Sequence, residues 1–187
     1  MRWFVLAALV IATPRPVRAD GVQPFYSVSF GAGYAHRNGV DDGAALLLRP
    51  ELILAADSVH PAAGIGPYLE LVSIRAPSEL GDHATLAGGG ITAVLYSRGG
   101  LAVAGSLGVD VVGLGRGWHP QLAASLFVGF RTSEIGAVDL PIGLRVEHRP
   151  GTDQLPATTI AALSVDVVGI ALGVKAISAL LDKAGRR

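Results

Sequence analysis

Apolar and polar residues alternate with a period of two in one segment after another along this chain. In Leu140–Arg149, residues Leu140, Ile142, Leu144 and Val146 share one face, while Gly143, Arg145, Glu147 and Arg149 share the other. Successive side chains of an extended strand point to opposite sides, so the pattern predicts a strand with one apolar and one polar face. The same rhythm predicts about eight strands separated by turn signals. The first lies near Tyr26–His36, with Tyr26, Val28, Phe30, Ala32 and Tyr34 opposite Ser27, Ser29, Gly31 and Gly33. Asn38-Gly39 and Asp42-Gly43 supply turn chemistry after it. The second lies near Ala44–Ala56, with Leu46, Leu48, Leu52 and Leu54 outward and Arg49 and Glu51 inward. Pro50 in its middle cannot donate to a ladder and predicts a bulge.

The third strand lies near Ile65–Arg75, where Tyr68 and Glu70 oppose Leu69 and Leu71, and the polar loop Pro77–Asp82 follows. The fourth spans Ala84–Ser97, and its Gly88-Gly89-Gly90 run predicts a sharp bend or a weak point. After Arg98-Gly99-Gly100, the fifth sets Leu101, Val103, Leu107, Val109 and Val111 against Ala102, Ala104, Ser106, Gly108 and Asp110. Gly113–His119 reads as a loop and Gln121–Arg131 as the sixth strand. Ser133–Gly136 connects to the seventh, and Pro150–Asp153 marks the next loop. The eighth lies near Thr158–Ala171, and the tail from Val174 to Arg187 suits a short helix.

Composition changes the meaning of this alternation. The chain is 50% hydrophobic, with a mean hydropathy of +0.48, yet it has no run of 18 uncharged apolar residues. The segment Met1–Ala19 has the organisation of an export signal: Arg2, an apolar stretch Phe4–Ala12, and Val17-Arg18-Ala19 before Asp20. That stretch is too short to cross a bilayer as a helix. Residues 20–187 then form one domain, net negative once Arg2, Arg15 and Arg18 are lost, which argues against a nucleic-acid surface. With no cysteine there are no disulfide staples, thiolate nucleophiles or Cys-type zinc sites. High hydropathy, period-two alternation and export together predict an all-β, antiparallel up-and-down transmembrane barrel in the outer membrane.

An even strand count puts both termini on the periplasmic side. Arg37–Gly43, Pro77–Asp82, Gly113–His119 and Arg149–Leu155 then become extracellular, and Arg98–Gly100 and Ser133–Gly136 periplasmic. Tyr26, Tyr96 and Phe130 fall at the inner interface, and Trp118 and Tyr34 toward the outer one. Arg49, Glu51, Glu70, Asp110, Arg145, Glu147 and Asp166 point into a narrow lumen, where opposite charges pair and hold the wall together. On these residues the chain resembles the OmpA/OmpX-like family of small eight-stranded outer-membrane barrels, across nearly all of residues 20–187. The resemblance is architectural and implies a monomer embedded in outer-membrane lipid, inserted by the barrel assembly machinery. The family usually ends on an aromatic residue, whereas this chain ends Ala184-Gly185-Arg186-Arg187.

No residue carries a catalytic, cofactor or metal assignment, and the expected role is structural or surface interaction. Gly31-Ala32-Gly33 lacks the third glycine and the following helix of a dinucleotide fingerprint. His36, His60, His83, His119 and His148 show no metal-ligand spacing, though four lie near predicted extracellular strand ends. Ser106, Ser164 and His148 are the residue types of a lipid-modifying enzyme, without a local pattern that joins them. The main alternative is a soluble exported barrel of the lipocalin kind, apolar inside, binding a small apolar ligand. A helix near Ile160–Leu181 is a further reading, interrupted by Asp166 and Lys175.

Overall fold

The computed structural model describes residues 22–56, 62–76, 83–96, 101–114, 117–130 and 142–167. The eight strands are β1 (Val22–Arg37), β2 (Gly43–Ala56), β3 (Ala62–Arg75), β4 (His83–Tyr96), β5 (Leu101–Leu114), β6 (Gly117–Phe130), β7 (Ile142–Arg149) and β8 (Thr158–Asp166). Each pairs antiparallel with its sequence neighbour, and β8 returns to β1, so the sheet closes into a barrel. The expected all-β up-and-down barrel is therefore the observed fold.

The register fixes its shape. From Pro24, partners run through Leu54, Ile65, Ala93, Gly105, Leu126, Val146 and Ala161 to Tyr34, ten residues further along β1. With a rise of about 3.3 Å and a strand spacing of about 4.8 Å, that stagger tilts the strands by roughly 40°. A strand the length of β5 then covers roughly 35 Å of height. The outward run Leu101–Val111 covers about 25 Å, the apolar height expected of a bacterial barrel.

Face assignments follow the alternation closely. Leu69, Leu107, Leu122, Leu144 and Leu163 are all more than half exposed, while Arg49, Glu51, Glu70, Asp110, Arg145 and Glu147 are buried. Even β3, whose alternation is least obvious in sequence, is regular from Ala63 to Ala76. Polarity is thus the reverse of a soluble barrel, with large apolar side chains outside and charge inside.

Some boundaries and local features differ from expectation. Pro50 makes no bulge: the β1–β2 register runs unshifted past it, and β2–β3 keeps one register on either side. The missing donor interrupts the rungs and leaves their alignment intact. Gly88–Gly90 is no bend either, since β4 pairs through it with both β3 and β5. A Cβ at Gly90 would collide with the Leu107 carbonyl and the Gly108 backbone. These glycines serve close approach of two strands. Gly90→Val should therefore cost about 1–3 kcal/mol of unfolding free energy. Gly105→Ala, where a Cβ meets open space, should stay within about 0.5 kcal/mol. Urea titration of the two variants in lipid checks the contrast.

The expected loop Gly113–His119 is mostly strand, with Gly113 opposite Trp118 and Leu114 opposite Gly117. β8 spans Thr158–Asp166 and pairs with β7 and β1, so no helix starts at Ile160, and the expected end of this strand at Ala171 lies outside the described residues. Among the described residues no helix is long and apolar enough to cross a membrane. The export signal at Met1–Ala19, the connections Arg98–Gly100 and Ser133–Gly136, Leu140 and the tail from Val174 lie outside the described residues.

Candidate functional site

The lumen is stratified. At the end formed by the β1–β2 and β7–β8 connections, an apolar layer contains Leu47, Val72, Ile74, Leu86, Val112, Leu155 and Ile160. At the opposite end a smaller apolar layer contains Ile53, Val94, Ala102, Ala104 and Phe127. Between them, inward positions of β2, β3, β5 and β7 bring the charges together.

Arg49 and Arg149 organise that middle layer. Arg49 donates through Nε to Glu51 Oε1 at 2.7 Å and through Nη1 to Glu70 Oε2 at 3.1 Å and Ser125 Oγ at 3.3 Å. Its Nη2 reaches Ser106, whose hydroxyl donates to Thr92 Oγ1 at 3.2 Å. Its guanidinium also lies 3.5 Å from the centroid of the Tyr68 ring. Arg149 donates to Asp110 Oδ2 at 2.5 Å, Glu70 Oε1 at 2.6 Å and Glu147 Oε2 at 3.1 Å. Arg145 Nη2 stands 3.6 Å from Glu51 Oε1, and its guanidinium lies over Phe127 at 5.5 Å. One group of ion pairs therefore ties four strands together across the lumen. Fixed opposite charges packed this closely fill a narrow interior and leave no wide aqueous path through this layer.

Of the seven charges predicted to face the lumen, Arg49, Glu51, Glu70, Asp110, Arg145 and Glu147 join this group. Asp166 is half-buried near the other end, where Ser27 Oγ donates to it at 2.6 Å. Arg149, which sequence reasoning set on the polar face of the strand and at the start of the next loop, was not counted among the lumen charges. Its place on the polar face of Leu140–Arg149 was the available signal, masked by the adjacent Pro150-Gly151.

The upper mouth is roofed by the β7–β8 connection. Leu155 turns into the lumen and is 3% exposed. Thr152 shapes the turn, exchanging backbone hydrogen bonds with Leu155, while its Oγ1 accepts from the Leu155 N–H at 3.1 Å. Gln121 Nε2 donates to the carbonyls of Pro150 at 2.9 Å and Pro156 at 3.2 Å, and Asn38 N–H donates to the Ala157 carbonyl at 3.0 Å. A cavity of about 30 Å³ remains beneath the roof, lined by Arg37, Leu86, Val112, Gln121 and Leu155 among others.

Beside the roof, Asp42 ties the β1–β2 hairpin. Tyr34 OH donates to Oδ2 at 2.5 Å, the Arg37 N–H donates to Oδ1 at 3.1 Å, and His36 Nδ1 lies 2.9 Å from Oδ1. Arg37, buried at 5% exposure, donates back to the Asp41 carbonyl. The Tyr34 hydroxyl, followed by the Arg37 N–H, holds the Asp42 carboxyl below its usual range. A depressed pKa means that the contribution is complete above the unfolded carboxylate pKa and is lost as pH falls through the folded value. Amide resonances of Asn38–Val40 should thus stay fixed through mildly acid pH and shift only in strong acid. In Asp42→Asn they should show no such transition.

The histidines and serines do not assemble into a site. His36 and His148 face outward on different strands, with His148 Nδ1 3.0 Å from Thr159 Oγ1. His60 lies outside the described residues, and among those described no three His, Asp or Glu side chains converge on a metal position. Ser106 and Ser164 are buried in the lumen wall, and His148 is on the outer face, so the sheet separates the base from either nucleophile. Gly31-Ala32-Gly33 lies within β1 and not at a phosphate-cradling turn.

No protein-family model matches this chain, and no curated protein matches it. Among solved structures it is similar to the outer membrane protein Ail of Yersinia pestis, whose backbone structure is in a phospholipid bilayer nanodisc. The match has 13% identity, covers 79% of this chain and 99% of that one, and has a TM-score of 0.42.

Proposed function

We propose that the chain is an integral outer-membrane β-barrel with a structural or surface-interaction role and no catalysis. The observation that carries this reading is the inverted polarity of the wall. Leu69, Ile91, Leu107 and Leu144 stand outward at 55–72% exposure, while Arg49, Glu51, Glu70, Asp110, Arg145, Glu147 and Arg149 are buried inside. In water so large an apolar band would drive association; against lipid it is the stable arrangement. Outer-membrane lipid is then the partner of the wall, Met1–Ala19 directs export, the barrel assembly machinery inserts the chain, and closure without edges suits a monomer. The roofed, charge-filled lumen supports a scaffold over a general pore. Among the described residues, the Pro150–Ala157 roof and the Asn38–Asp42 hairpin offer surfaces for recognition outside the cell.

Fractionation of the expressed protein followed by electrophoresis, unheated and boiled, tests the reading. Outer-membrane recovery with a heat-dependent mobility shift is expected. A soluble periplasmic protein without a shift would contradict it and direct the search to an internal apolar ligand.

A further inference from the structure

The β2–β3 ladder is interrupted at mid-wall. Leu48 pairs with Leu71, Glu51 with Tyr68 and Leu54 with Ile65, but the ladder skips Arg49–Glu70, Pro50–Leu69, Leu52–Pro67 and Ile53–Gly66. The neighbouring ladders pass the same prolines without a skip, at Val28–Pro50 and Pro67–Ile91. Along an antiparallel strand each residue turns its N–H and C=O to one neighbour, and successive residues alternate between the two neighbours. Proline has no N–H to give. Two missing donors, both aimed into the β2–β3 seam, omit those four pairs and spare Glu51–Tyr68. The carbonyls of Leu69 and Leu52, opposite the prolines, lose their ladder donors halfway up the apolar band.

Side chains close the seam from inside. Arg49 of β2 stacks on Tyr68 of β3 and donates to Glu70 of β3, while it also holds Glu51 on its own strand. The seam keeps only the Glu51–Tyr68 bridge between Leu48–Leu71 and Leu54–Ile65 and adds one guanidinium across it, where its neighbours have an unbroken ladder. Apolar layers stand above and below the charges.

We propose that the β2–β3 seam is a lateral gate. The wall opens there ahead of the β4–β5 and β5–β6 seams, with Arg49 as its latch, and the opening joins the charged layer to the surrounding lipid.

Hydrogen–deuterium exchange on the full chain in phospholipid nanodiscs tests this. The seam-facing amides of Leu52, Leu54, Leu69 and Leu71 should exchange at least roughly tenfold faster than those of Ile91–Val94 and Leu107–Asp110, as a locally opening unit does. Pro50→Val with Pro67→Val restores both donors and should slow the seam to the β4–β5 rate. Arg49→Lys keeps the charge but loses the forked contacts, and it should speed exchange at the seam alone. Exchange that is uniform around the barrel, or a seam unchanged by the double proline substitution, would overturn the proposal. Because the proline variants keep the whole lumen intact, they decide the matter even where Arg49→Lys fails to fold.

Discussion

Arg149→Met destabilises the barrel by about 3–5 kcal/mol in urea titrations performed in lipid vesicles, the cost of stranding a buried charge cluster. Its guanidinium is fully buried and meets Asp110, Glu70 and Glu147 within 3.1 Å. Methionine fills comparable space, so lost packing contributes little and lost pairing dominates. Three carboxylates then face one another, with Arg49 3.1 Å from Glu70 and 3.8 Å from Glu147. The exposed Arg75 at the rim provides the control, since Arg75→Met should change stability by under about 0.5 kcal/mol. Equal small effects from both would mean that the lumen charges do not hold the wall.

Leu107→Arg gives the second large effect, about 2–4 kcal/mol lost in a bilayer, the cost of placing arginine at mid-depth on the lipid face. Leu107 is 72% exposed and sits near the middle of the outward run of β5. An exposed leucine facing water would tolerate arginine almost without cost. The same change at Trp118, at the rim, should cost only about 0–1 kcal/mol, because the penalty falls toward the interface. The depth dependence separates a membrane wall from a soluble one more sharply than either value alone.

The wall was legible in the sequence because closure and a two-sided environment impose one rule on every strand. Leu101–Val111 and Leu140–Arg149 show it residue by residue, and even β3 obeys it. The lumen charges followed from the same parity, which is why six of the seven joined one network. Residues at strand ends were harder to place. Arg37 precedes Asn38-Gly39 and Arg149 precedes Pro150-Gly151, so turn chemistry hid two inward arginines. The role of Gly88–Gly90 depends on what Leu107 and Gly108 bring against it from β5, a contact with no local signature. Pro50 and Pro67 likewise gain their meaning from the β2–β3 register, which sets both missing donors on one seam. Leu155 as a lumen plug depends on Gln121 and Thr152 shaping the connection, and no periodicity predicts that.

The central claim is that the Leu/Val face meets lipid and the polar face does not. The chain contains no cysteine, so single cysteines can be placed at Leu107 and at its neighbour Ser106, labelled with a small environment-sensitive fluorophore, and examined in vesicles containing brominated lipid. Strong quenching at position 107 and little at position 106 is the predicted result. Equal quenching at both, or the reverse order, would contradict the membrane barrel.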